Sequence, residues 1–270
     1  MVLMNLTQQF MRVESKKFCF TFIADISHDE FNLISTVDDD LVDFLRYLKR
    51  SRILENTLFI LMGDHGPRFS PMRNTYQGKM EERLPFMSIT LPDRLKSLRP
   101  DAIWALKANA KVLTTPFDIH TTVLDAIGLQ KFASDYTVPN TNLLRGLSLL
   151  APIPANRNCE DAGILPHWCT CTNTKWHDVP KCDAAYTRVA NTLCDYINNI
   201  TSEKRSQCAV RKLVSVEWVI RRDARRTNST AQVESVYYQL VIVMSPGRAV
   251  FEATLQYHAN NDSFSVSDDD

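Results

Sequence analysis

The sequence predicts an α/β fold, a partial sheet flanked by helices, followed by a cysteine-rich segment and a small antiparallel sheet. Two observations carry this. Through the first 150 residues, continuous apolar runs of strand length alternate with stretches of helical period, the pattern of strands buried between helices. Beyond residue 150 the text turns to cysteines and turn residues. Three strand-like runs then follow, joined by short polar links that suit antiparallel neighbours. Two regions are expected, 1–150 and 151–270.

Residues 5–16 suit a short helix. The run "KFCFTFIA" (17–24) is unbroken and apolar, as in a strand buried on both faces, and "ISHDEFN" after it is a polar loop. From Val37 the period changes: Leu41, Phe44, Leu45 and Leu48 recur at helical spacing. Asp38, Asp39 and Asp40 suit the positive end of that helix dipole, and Lys49, Arg50 and Arg52 the negative end. "TLFILM" (57–62) and "LPFMSITLP" (84–92) read as the second and third strands of a parallel sheet. Residues 93–110 read as a helix. "TTPFDIHTTVLDAIGL" starts another, with Thr115 as cap, Pro116 at the first helical position and Gly128 beyond the end. Residues 186–202 look helical. "KLVSVEWVIRR", "SVYYQLVIVM" and "RAVFEATLQYH" are the three strand runs, and "SVSDDD" reads as a frayed tail. The aromatic residues at 237, 238, 251 and 257 are most simply sheet packing.

Composition excludes some partners. Lys plus Arg and Asp plus Glu both number 31, so the formal net charge is zero and nothing points to nucleic acid or a membrane surface. No apolar stretch approaches the roughly 20 residues of a spanning helix. The first residues lack the basic and apolar regions of a signal peptide. The cysteines point elsewhere: Cys159, Cys169, Cys171, Cys182, Cys194 and Cys208 match no paired zinc pattern, and a disulfide framework is the better reading. Four sequons, at Asn5, Asn199, Asn228 and Asn261, agree with an extracellular or secretory-lumen setting. A signal or anchor is then expected upstream, with this chain a C-terminal piece of something longer.

The chemistry gathers at "FILMGDHGPRFS" (59–70). In open α/β sheets ligands sit at the carboxyl ends of strands, where Asp64 and His65 fall. A hard carboxylate beside an imidazole suits a divalent metal such as zinc. Taken alone, "DHG" reads more simply as a turn cap beside a surface histidine. Its neighbours shift the weight. Asp25 and His28 follow the 17–24 run in the same way, Asp29 competes with Asp25, and His120 lies on a later helix beside Asp118. Arg68 and Arg73 flank the turn, and arginine is the preferred bidentate partner of phosphate or sulfate.

These residues carry a resemblance. "NTLFILMGDHGPRFS" resembles the metal-binding segment of the alkaline phosphatase superfamily, which includes the sulfatases. The closer likeness is to a sulfatase-like animal family known as domain of unknown function 229. "ISHDEFN", "DHGPRFSPMRNTYQGKMEERLPFMSITLP", "LTTPFDIHTTVLDAIG" and "RGLSLLAPIPANRNCEDAGILPHWCTC" resemble its blocks, in order, over residues 5 to about 182. The resemblance implies a metal-dependent hydrolase or transferase ancestry acting on an anionic ester, with zinc or calcium as the divalent metal.

Residue by residue, Asp64 and His65 match the superfamily's Asp-His metal pair. His28 matches a histidine that contacts sulfate in sulfatases and binds the other metal in phosphatases. Asp25 precedes His28 by three positions where the two-metal phosphatases have four, and His120 is aligned with a late third histidine. No segment resembles the one carrying the nucleophile: Cys19, the only cysteine in the α/β part, sits inside the 17–24 run, and C-x-[PS]-x-R occurs nowhere. The chain is therefore expected to hold the second half of a site and to turn over little alone. The alternative is a non-catalytic extracellular binding protein that keeps the fold.

Overall fold

The structure, a computed structural model, describes residues 2–24, 26, 28, 30–68, 71–129, 136–171, 176–223 and 236–267. It is of mixed α/β class and divides into two units, Met1–Gly163 and Ile164–Asp270.

In the first unit, α1 (Val2–Met11) and α2 (Asp38–Arg50) meet β1 (Phe59–Met62) in a small apolar cluster. Phe44 and Leu48, one turn apart on α2, are buried there with Met4, and Ile23 and Phe59 pack against them. The acids of the first α2 turn and the bases of its last stand where the helix dipole favours them.

The 17–24 run corrects the sequence reading. It is not a ladder strand, and Phe18, Phe20 and Phe22 are exposed. Its unbroken apolar content favours a strand, but a strand exists only with a partner, and among the described residues none pairs with it.

β1 and β2 (Met87–Thr90) also differ from the parallel neighbours expected. They form a two-stranded antiparallel sheet with Phe59 opposite Thr90 and Met62 opposite Met87. The chain leaving β1 turns at once and returns through α3 (Tyr76–Arg83) to the same edge. Gly63 extends the ladder by donating to the Phe86 carbonyl at 2.9 Å.

Residues 93–110 form two helices, α4 (Asp93–Leu98) and α5 (Asp101–Asn109). Pro100 separates them: it biases Arg99 away from helical angles, and Arg99 sits at φ −138°.

α6 (Pro116–Ala126) starts as the sequence predicts, with Pro116 in its first turn and the Thr115 N–H donating to Asp118 Oδ2 at 2.6 Å in a capping box. Its buried residues are polar: Asp118, Thr122 and Asp125. They bind the segment that follows. Leu147 N–H donates to Asp118 Oδ1 at 2.7 Å and Leu149 N–H to Thr122 Oγ1 at 2.8 Å. Arg99 forks onto Asp125 at 2.7 and 3.2 Å.

Asn109 completes the arrangement. Its amide donates to the Leu149 and Ala151 carbonyls at 3.0 and 2.8 Å and accepts from Ile153 N–H at 3.0 Å. These bonds, with the Asp118–Arg157 pair, explain why the first unit runs on to Gly163, past the change of composition at 150.

The second unit is a five-stranded antiparallel sheet, in the order β3 (Trp176–Asp178), β4 (Lys212–Arg222), β5 (Val236–Ser245), β6 (Ala249–His258) and β7 (Ser263–Val266). α7 (Ala184–Ile200) lies on it, N-capped by Asp183, whose carboxylate accepts from Ala185 N–H at 2.8 Å. Tyr186, Val189, Ala190, Leu193 and Ile197 form its apolar stripe. They meet Leu240, Ile242 and Met244 of β5 and Ala253 and Leu255 of β6 in the largest apolar core among the described residues. Burying a side chain of this size contributes about 1.5–3 kcal/mol.

The other sheet face carries His167, buried, its Nδ1 2.6 Å from Thr254 Oγ1 and its carbonyl accepting from Gln239 Nε2 at 3.2 Å. The expected frayed tail contributes β7 through Ser265 and Val266, and residues 268–270 lie outside the described residues.

Candidate functional site

The turn after β1 is held from two sides. Gly63 is tied to Phe86, and Gly66 N–H donates to the Glu82 carbonyl at 2.9 Å. A Cβ at Gly66 would lie 2.1 Å from the Glu81 carbonyl oxygen, so this close approach to α3 admits only glycine. Asp64 and His65 are presented between these anchors, at the carboxyl end of β1.

Inside the turn, His65 N–H donates to Asp64 Oδ1 at 3.0 Å. His65 Nδ1 lies 2.7 Å from the Gly66 carbonyl oxygen. A carbonyl only accepts, so in the neutral imidazole Nδ1 carries the proton and Nε2 keeps its lone pair. A carbonyl partner of this kind fixes the tautomer of a metal-binding histidine. Nε2 stands 3.7 Å from Asp64 Oδ2. Two ligands each about 2.0–2.2 Å from a zinc ion stand at most about 4.4 Å apart, so the spacing admits one ion between them. The side chains of Asp64 and His65 are 57% and 34% exposed, which leaves both within reach of an ion from solvent.

Two donors are half of the four ligands that structural zinc takes, and a smaller share of the about six to eight that calcium takes. Among the described residues no group of three or more His, Cys, Asp or Glu side chains is arranged to hold a metal. His28 and His120, both exposed, therefore do not join Asp64 and His65. Asp25 and its competitor Asp29 lie outside the described residues. Asp118, beside His120 in sequence, is fully buried and serves the α6 capping box and Arg157.

Arg68 and Arg73 are brought together by a residue that sequence reasoning missed. Glu82 Oε1 lies 3.5 Å from Arg68 Nε, and its Oε2 accepts from Arg73 Nε at 3.0 Å. The Glu82 side chain is only 5% exposed. α3 has no apolar stripe; it buries Gly78, Lys79 and Glu82. A buried carboxylate is costly unless paired, and the two guanidinium groups supply the pairing. In the sequence, YQGKMEER shows only charges without an apolar stripe, the look of a solvated face.

The cysteine framework reduces to one bridge. Cys159 and Cys169 are disulfide-bonded, whereas Cys171, Cys182, Cys194 and Cys208 are free thiols, as is Cys19. Burial raises the Cys194 pKa above the ordinary thiol value. Asn5, Asn199 and Asn261 are exposed, and Asn228 lies outside the described residues.

With this geometry established, the family model described as Protein of unknown function (DUF229) matches residues 1–217. The chain belongs to this family. No curated protein matches it. The DUF229 match takes in the Asp-His turn, the Glu82 pair of arginines, the α6 polar face and the 145–157 segment bound to it. No helix among the described residues is long and apolar enough to cross a membrane.

Proposed function

We propose that the first unit is a divalent-metal domain of the sulfatase and alkaline phosphatase type, acting on anionic esters, in which Asp64 and His65 are half of the ligand set. The observation that carries this reading is the His65 imidazole, held through Nδ1 by the Gly66 carbonyl with Nε2 open beside Asp64 Oδ2. Zinc fits the mixed nitrogen and oxygen pair better than calcium, which prefers oxygen alone. A bound divalent ion would supply Lewis-acid polarisation of an ester oxygen. The chain's own residues orient the ligands, and Arg68 and Arg73 meet the negative charge of the ester head group. With two protein ligands, binding is weak and turnover low.

The Cys159–Cys169 bridge and the exposed sequons at Asn5, Asn199 and Asn261 support an extracellular or secretory-lumen setting.

The test is hydrolysis of an aryl phosphate and an aryl sulfate with zinc, with a chelator, and in Asp64→Ala. Zinc-dependent turnover lost in the variant supports the reading. Turnover that survives both the chelator and Asp64→Ala contradicts it. Zinc binding without turnover keeps the metal half-site and assigns the chain a binding role.

A further inference from the structure

We infer that the second unit binds a medium-chain carboxylic acid, its apolar chain in a cavity at the C-terminal half of α7 and its carboxylate on Arg211. The inference is independent of the metal reading of the first unit. The cavity has a volume of about 300 Å³, and all its walls belong to the second unit. Leu193, Ile197 and Ile200 of α7, Phe251 and Ala253 of β6 and Val266 of β7 make those walls apolar. Ile200 and Ala209 are exposed, so the cavity opens to solvent on their side. An apolar cavity of about 150 Å³ stays dry and takes up benzene, so this one accommodates a chain of about ten to twelve carbon atoms.

Charge selects the head group. Two charged residues line the cavity, Arg211 and Glu252. Glu252 stands between Phe251 and Ala253 on β6, and those two pack into the α7 core. Strand alternation turns the Glu252 side chain to the opposite face, so it contributes main chain to the cavity. Arg211 is held at its backbone by Asn198 of α7, which accepts from Arg211 N–H and donates to the Arg211 carbonyl, both at 2.9 Å. The Arg211 guanidinium lies 5.9 Å over the Phe251 ring and donates through Nη1 to the Pro246 carbonyl. Among the described residues it meets no carboxylate, so its remaining N–H donors are open to an anion. A helix C-terminus repels an anion, but the last carbonyls of α7 are already engaged. Ile197 accepts from the Thr201 N–H and hydroxyl at 3.3 and 2.8 Å, and Asn198 accepts from the Arg205 guanidinium. Cys208, a free thiol in the same wall, reports on occupancy.

The experiment is calorimetric titration of the whole chain with decanoate below its micelle concentration, on the parent and Arg211→Met. Methionine keeps an apolar stem against Phe251 and removes the charge. Decanol and octanoate are titrated into the parent. The proposal expects one saturable decanoate site, weakened about tenfold or more in Arg211→Met, the effect of losing a charge-assisted hydrogen bond. Decanol is expected to bind the parent about tenfold or more weaker than decanoate for the same reason, and octanoate about tenfold weaker for its two missing methylenes. Bound decanoate is also expected to protect Cys208 from iodoacetamide and to leave the exposed Cys171 and Cys182 reactive. No saturable decanoate binding by the parent overturns the site. So does decanol or octanoate binding as tight as decanoate, parent-like affinity in Arg211→Met, or a Cys208 rate that saturating decanoate does not slow. The ligand comparisons and the Cys208 rate use the parent alone, so they decide the matter even where Arg211→Met fails to fold.

Discussion

Asp118 Oδ2 and Arg157 Nη1 lie 2.8 Å apart with side chains 0% and 3% exposed, a fully buried ion pair in which the carboxylate also accepts from Thr115 and Leu147. It ties α6 to the chain end of the first unit. Removing one partner leaves a buried charge uncompensated, at a cost of about 3–5 kcal/mol. Asp118→Ala and Arg157→Met are each expected to lower the urea midpoint by that amount of stability. The double variant is expected to cost less than the sum, because no charge is stranded.

Gly66 and Gly128 separate two reasons for glycine. A Cβ at Gly66 meets the backbone of α3, whereas Gly128 has φ +75° with nothing within 4 Å. Gly66→Ala is expected to cost about 1–3 kcal/mol by overpacking and to weaken zinc binding by displacing the Asp-His turn. Gly128→Ala is expected to cost about 1–2 kcal/mol from its left-handed conformation alone and to leave zinc affinity at the parent value. Denaturation and zinc titration of the two variants make the comparison.

The elements legible in the sequence are those whose local signals suffice. α2 has acids, apolar period and bases in order, and α6 has its cap and proline. The expected helix over 93–110 was one pattern broken in two because apolar spacing runs through Pro100 while the backbone does not. The 17–24 run has strand character, yet a ladder needs a partner that no local signal supplies. β3 and β7, three and four residues long, owe their state to the neighbours they pair with. At the candidate site, the Asp-His turn was legible from its glycines and strand. Glu82 was not, because a buried charge on a polar helix looks like a solvated one until its two arginines are placed.

The second unit should lose stability in acid through Asp262. Hydrogen bonds from Arg188 and then from the Tyr257 hydroxyl hold its carboxyl below the usual carboxylate value. A depressed folded pKa contributes stability that is fully present above the unfolded value, about 3.9, and lost as pH falls through the folded one. Melting followed from pH 6 downward is expected to show a shallower acid limb in Asp262→Asn below that value, with Tyr186 and the α7 core untouched.

Thiol reactivity should follow burial. Cys194 is buried with a raised pKa, whereas Cys171 and Cys182 are exposed. The thiolate is the nucleophile, so iodoacetamide at neutral pH is expected to modify the exposed Cys19, Cys171 and Cys182 first. Cys194 is expected to react only as the second unit opens, with the order read by mass spectrometry of timed digests.

The most direct test of the account is zinc binding by the whole chain, compared among the parent, Asp64→Ala and His65→Ala. The account predicts one weak site whose affinity falls about tenfold or more in either variant, since losing a ligand costs at least as much as the roughly 10–100-fold lost with a group that only hydrogen-bonds a ligand. It also predicts that zinc stabilises the parent against heat and neither variant. Parent-like zinc affinity in both variants would contradict the account, and so would a parent that binds no zinc at all.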